Sequence, residues 1–180
     1  TQQAIQSYQE RKEELEAKEK EFVALDLFLQ CMHTNGIAYN VIRQMLPIIN
    51  EEIAKVLTSI VDFEVFFVDN GKSLDIMLKH AKYDARPLSM GSGAEKTLSA
   101  MAIRLALISI TNLPKSELFI LDEPATALDQ EHMDGFVKML EMIKSQFKTV
   151  LLISHLDSLK DCVDQTIDIQ KKDGYARVNL

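Results

Sequence analysis

Tryptophan is absent from this 180-residue chain, and cysteine occurs only twice, at Cys31 and Cys162. Two cysteines on separate, mostly apolar stretches build no disulfide framework and no cysteine metal site. Buried free thiols in a reducing compartment fit them best. The four histidines, His33, His80, His132 and His155, show no ligand spacing with one another. Positive charge is the minority sign, with 20 Lys and Arg against 27 Asp and Glu and a net charge of −7. The chain is therefore no bulk polyanion binder, and any contact with nucleic acid has to come from a local patch or a partner. No apolar run approaches the ~20 residues of a membrane-spanning helix, and the amino end has no signal-peptide core. A cytoplasmic or nuclear-type protein, away from membranes, is expected. The 47% of hydrophobic residues is enough for one domain with its own core, plus an appendage.

The appendage comes first. Residues 1–21 are dominated by Gln, Glu and Lys, with Ile5, Tyr8, Leu15 and Phe22 at heptad-like spacing and Lys12 and Glu19 at the intervening seam sites. This is either a worn coiled-coil seam or a solvated helix supported by Glu–Lys pairs, and it reads as the stump of a longer arm. Apolar residues then thicken through Phe22, Leu25, Leu27, Phe28, Leu29 and Met32, until Asn35-Gly36 marks a break. A second helical pattern runs from Ile37 to Ile60, and Pro47 inside it is expected to kink or restart the helix.

Residues 62–68 alternate Phe and Val with acids and read as a strand; Asn70-Gly71 is a hairpin turn, and 74–78 is the return strand. The triplet Gly71-Lys72-Ser73 is not a phosphate loop. Phe66 stands where that loop needs a glycine, and a hairpin follows instead of a helix. After irregular residues 79–90 comes Met90-Gly91-Ser92-Gly93-Ala94-Glu95, opening a helix with Leu98, Met101, Ala102, Leu105 and Ile108 on its apolar side. Ser92 with Glu95 three residues on makes a capping box, and the same helix start offers backbone N–H groups to an anion.

The centre of the chain is Leu118-Phe119-Ile120-Leu121-Asp122-Glu123-Pro124. An unbroken apolar run ended by a turn residue reads as a strand buried on both faces of a parallel sheet. Asp122 and Glu123 point in different directions at its carboxyl end, where open α/β sheets hold ligands. The pair suits a Mg²⁺ ligand beside a base for an attacking water, or else a plain acidic turn capping the next helix. The stretch 125–129 is a small-residue loop with one acid, and a helix then runs through Phe136, Val137, Leu140 and Ile143. A β-branched strand at 149–153 ends in Ser154-His155, which would lie at the same sheet edge as Asp122 and Glu123 if the two strands are parallel neighbours. A short helix at 156–160, a strand at 163–170, a turn at 171–174 and a closing strand at 175–180 complete the chain. The alternation from 117 to 170 predicts an α/β fold with a parallel sheet.

Ser92-Gly93-Ala94-Glu95, the 118–123 strand, Ala127-Leu128-Asp129 and Ser154-His155 occur in an order that resembles the signature motif, Walker B strand, D-loop and H-loop of ABC-type ATPases. The run GAEKTLSAMAIRLAL, the amino-terminal arm and the hairpin resemble the SbcC-type break-repair and structural-maintenance-of-chromosomes (SMC) branch of that family. Ala94 replaces the usual second signature glycine, and Met90-Gly91 the usual preceding leucine. The resemblance implies an α/β, P-loop NTPase-class head lobe at 36–180, with the base of a coiled-coil arm at 1–35. The Walker A loop is absent from this chain and would sit on a separate amino-terminal lobe.

The resemblance also implies roles. Asp122 would help hold Mg²⁺, in part through water, and Glu123 would orient and deprotonate the water attacking the γ-phosphate of ATP. His155 would contact that phosphate. Ser92, Gly93, Ala94 and Glu95 would meet the nucleotide of a second, identical head, and Asp129 would couple the two sites. ATP would join two heads and hydrolysis release them, driving DNA tethering and end processing with a partner nuclease at the coiled-coil base. An SMC-type head without a nuclease is the alternative within this branch. A transporter subunit and a degenerate scaffold fit the residues less well.

Overall fold

The computed structural model describes residues 2–71, 73–172 and 174–179. Lys72 of the Gly-Lys-Ser triplet, Asp173 of the expected turn, and the end residues Thr1 and Leu180 lie outside them. The elements, in chain order, are α1 (Gln2–Met32), α2 (Ile37–Leu57), β1 (Phe63–Asp69), β2 (Leu74–His80), β3 (Arg86–Pro87), α3 (Gly93–Ile110), β4 (Leu118–Asp122), α4 (Gln130–Gln146), β5 (Thr149–Ile153), β6 (Asp168–Lys172) and β7 (Tyr175–Asn179), with 3₁₀ turns at Leu88–Met90 and Asp157–Cys162. They fall into two units, residues 1–47 with 69–73, and residues 48–68 with 74–180.

In the first unit α1 is a single helix of 31 residues, about 45 Å long. Its apolar residues stay exposed, Tyr8 at 72% and Phe22 at 69% among them. Pairs such as Lys18–Glu14 (2.6 Å) contribute only a few tenths of a kcal/mol each at an exposed surface. Most helical stability in proteins comes from packing an apolar stripe, and α1 leaves its stripe free. The break after α1 depends on Gly36, where a Cβ would lie 2.2 Å from the Cys31 carbonyl oxygen. In the 69–73 turn, Asp69 accepts from the Tyr39 hydroxyl and from the Gly71 N–H (2.7 Å) and pairs with Arg43. α2 is one helix with Pro47 inside it, so the helix does not restart there.

The second unit holds the core. Ile53 and Leu57, Leu78, Leu98 and Leu105, and Phe136, Met139 and Ile143 are each 2% exposed or less. They come from α2, β2, α3 and α4, so the hairpin and three helices share one apolar interior. Asn50 ties α2 to β1 with a pair of bonds to the Phe67 backbone, 2.8 Å from its N–H and 3.0 Å to its carbonyl. Gly135 lets α4 approach the turn after α2; a Cβ there would stand 3.0 Å from the Ile60 carbonyl oxygen.

β4 and β5 pair in parallel, with Leu118 opposite Thr149 and Asp122 opposite Ile153. Two expectations need correction here. β4 is buried on one face only: Phe119 and Leu121 are covered, whereas Leu118 and Ile120 are 46% and 50% exposed. On the same open face lie Leu151 and Ile153 of β5, at 42% and 46%. Among the described residues the parallel sheet has these two strands, with α4 packed against β5, so the apolar run is covered on one side. The strand expected at 163–170, the last of the strand–helix alternation, forms instead at β6 and pairs antiparallel with the closing strand β7 in a separate hairpin.

Candidate functional site

The sheet edge at the end of β4 gathers two of the residues singled out by sequence. Glu123 follows directly on β4 and has a φ of +46°, a left-handed conformation that costs a glutamate roughly 1–3 kcal/mol. Its N–H bonds the Ile153 carbonyl at 2.9 Å, continuing the ladder across to β5, and its own carbonyl accepts from the Thr126 hydroxyl at 3.2 Å. These contacts over-determine the kink. The kink turns the Glu123 carboxylate toward β5, where His155 Nδ1 lies 2.9 and 3.0 Å from its two oxygens. Glu123 and His155 thus meet because β4 and β5 are parallel neighbours in register. The His155 side chain is 69% exposed. Asp122, one residue earlier, is exposed on the open face of the sheet.

The head of α3 is a second grouping. Ser92 is the extended N-cap residue, its hydroxyl accepting from Glu95 N–H at 3.2 Å while the Glu95 carboxylate accepts from Ser92 N–H at 2.6 Å. The expected capping box is therefore formed. Glu95 is also held by His80 Nε2 at 2.6 Å and by Arg86 at 3.0 and 3.2 Å. Burial pushes its carboxyl up, but the Ser92 N–H, His80, the Ser92 hydroxyl and the Arg86 charge outweigh this and hold it at about 2. Of the four signature-like residues, Ser92 and Gly93 are exposed, while Ala94 (4%) and Glu95 (6%) are buried. The Ala94 methyl lies inside the lobe, not on its surface.

The third grouping is the loop after β4. Asp129 caps α4, accepting from His132 N–H at 3.0 Å, and it also contacts the His132 ring. The His132 side chain, followed by its backbone N–H, holds the Asp129 carboxyl below its usual range. This loop touches the head of α3: a Cβ on Gly93 would lie 3.0 Å from Ala127 Cβ and 3.3 Å from the Ala127 carbonyl oxygen. Two stretches noted separately in the sequence are thus in contact. His80 and Arg86 were not singled out, because they stand 15 and 9 residues before Glu95 and only the fold of β2 and β3 brings them to it.

A magnesium ion fits these residues only in part. Asp122 supplies a hard oxygen donor of the kind Mg²⁺ prefers. Among the described residues no three His, Cys, Asp or Glu side chains converge on a metal position, and the Glu123 carboxylate is taken up by His155. This sheet edge offers Asp122, and the other ligands would have to come from phosphates, water and residues outside this grouping.

The fold matches that of SMC head domains. An SMC ATPase structure concerned with ATP-driven dimerisation superposes with a TM-score of 0.66 at 19% identity, covering 78% of this chain and 87% of that one. The Smc head with coiled coil and joint from Pyrococcus yayanosii gives 0.63 at 19% identity, over 95% of this chain and 33% of that one. The chain therefore has the α/β fold of an ABC-type ATPase head. Sequence relatives narrow this further. The Rad50 DNA double-strand break repair ATPase of Pyrococcus abyssi is 33% identical over 94 residues, 52% of this chain and 11% of the relative. An uncharacterised protein of Acanthamoeba polyphaga mimivirus is 30% identical over 97% of this chain, which spans 14% of that protein's length. No protein-family profile matches the chain. The chain is homologous to the carboxyl-terminal region of Rad50 ATPases. Among the described residues no helix is long and apolar enough to cross a membrane.

Proposed function

We propose that this chain is the carboxyl-terminal half of an ATP-hydrolysing DNA-repair head, active only when joined to a Walker A lobe. The observation that carries the reading is Glu123, held in a left-handed turn at the end of β4 against His155. A strained acid at the carboxyl edge of parallel strands is well placed to take a proton from an attacking water. His155 would position that carboxylate and contact the γ-phosphate. Asp122 would hold Mg²⁺, which when bound neutralises phosphate charge. Ser92 and Gly93, the exposed pair at the head of α3, would meet ATP carried by a second copy of the head. Asp129 would couple the two sites through the loop that touches Gly93. The open face of β4 and β5 supports the need for another lobe, because parallel sheets are covered on both sides in stable folds.

The 1–35 arm, with its uncovered apolar residues, would seat a partner nuclease at its base, and the heads would tether DNA for end processing. A second reading is an SMC-type head without a nuclease, favoured by the solved structures that share this fold, one of which is bound to a domain of ScpA. Copurification of a nuclease with the full-length protein selects the first reading, and of a ScpA-like subunit the second. The ATPase reading itself is tested by Glu123→Gln in the full-length protein, which should keep ATP-driven dimers and lose turnover.

A further inference from the structure

Glu95 stands where a nucleotide contact is expected, yet its carboxylate has no free side. One oxygen faces His80 at 2.6 Å and Arg86 at 3.0 Å; the other accepts Ser92 N–H at 2.6 Å and lies 3.2 Å from Arg86. Its side chain is 9% exposed. A bare carboxylate one turn inside a helix start would also repel a triphosphate approaching that start. Here the repulsion is offset by the Arg86 guanidinium, reinforced by the His80 bond. The donors come from three separate segments, the last residue of β2, the first of β3 and the cap of α3, so the cluster fixes the helix start to the sheet that precedes it.

We propose that Glu95 is a positioning residue: anchored by His80 and Arg86, it holds the Ser92 backbone and so aims the Ser92 hydroxyl at nucleotide carried by a second head. This rests on the trans role proposed above for Ser92. Arg86 and His80 act through Glu95 and touch no nucleotide. Arg86→Ala removes one clamp and leaves the carboxylate without its neutralising charge.

The test uses the full-length protein and four readouts: melting temperature, amide exchange across residues 88–98 without nucleotide, ATP affinity of the single head, and ATP-driven dimerisation. Arg86→Ala should speed exchange at the head of α3 and weaken dimerisation, each by about tenfold, with ATP affinity of the single head unchanged. Arg86→Lys, which keeps the charge, should recover part of the loss. Ser92→Ala should weaken dimerisation at least as much, to a level still measurable at high protein concentration, and adding Arg86→Ala to it should make nothing worse, because both act through one hydroxyl. If Ser92→Ala weakens dimerisation while Arg86→Ala and His80→Gln dimerise like the parent, the positioning role is wrong and the trans role stands. Additive losses in the double variant overturn the positioning role as well. If Ser92→Ala dimerises normally, the trans role fails and this inference falls with it. Should Arg86→Ala fail to fold, Arg86→Lys and His80→Gln decide by the same measurements.

Discussion

Glu123, the base of the proposed mechanism, depends on one backbone angle. Its φ of +46° holds the side chain against His155 and away from the open sheet face where Asp122 lies. Glu123→Gln keeps the shape and the hydrogen-bonding reach but removes the base of the proposed mechanism. In the full-length protein turnover should fall by roughly 10²–10⁴ with ATP-driven dimers lasting longer; single-turnover kinetics and light scattering check it, and parental turnover would place the base elsewhere. Glu123→Gly should relieve the strain, so it should fold at least as well while losing hydrolysis. Glu95 makes a different prediction, about pH. Its carboxyl is held at about 2, down from the ordinary 4.5, so the folded state favours the ionised form. That contribution is complete above pH 4.5 and disappears as pH falls from 4.5 toward 2. Acid titration of melting temperature should show Glu95→Gln less stable than the parent at neutral pH. The gap should close over that window, and a gap independent of pH would deny the carboxylate its stabilising role.

At the scale of elements, α3 and α4 are fixed by small residues at close approaches. Gly135→Ala drives a methyl to 3.0 Å from the Ile60 carbonyl and should cost about 1–3 kcal/mol, read as a lower melting temperature. Gly93→Ala meets Ala127 at the same 3.0 Å and should disturb the Asp129 loop with little loss of overall stability, because both groups lie near the surface. The capping box of α3 was legible because it is written in four consecutive residues, and the parallel pairing of β4 and β5 was legible because each is a short apolar run flanking one helix. Continuity through Pro47 was not legible, since the penalty of an interior proline is outweighed by packing on either side of it. The clamp on Glu95 was hidden for a related reason: it joins strand ends that no local pattern links. β6 was misassigned to the parallel sheet because alternation of strand and helix says nothing about which strand finds which neighbour, and an antiparallel return at β7 was nearer.

At the scale of the molecule, the open face of β4 and β5 is an apolar surface with an acid at its rim: Leu118, Ile120, Leu151 and Ile153, each 42–50% exposed, beside Asp122. Left in water, such a face invites association, and in the proposed head it is where the Walker A lobe would cover the sheet. Two outcomes are expected. This chain alone should neither bind ATP tightly nor hydrolyse it, because it lacks the backbone cradle and lysine that supply most phosphate contacts. Supplying the Walker A lobe should restore both activities. Ile120→Glu with Leu151→Glu separates the proposed surface from general damage, since these side chains already meet water in the isolated lobe. The double variant should melt within a few degrees of the parent chain, yet fail to copurify with the Walker A lobe or regain ATP hydrolysis. Micromolar ATP binding by the chain alone would show that the nucleotide site does not need the second lobe. A double variant that still assembles and hydrolyses ATP would move the lobe interface off this face.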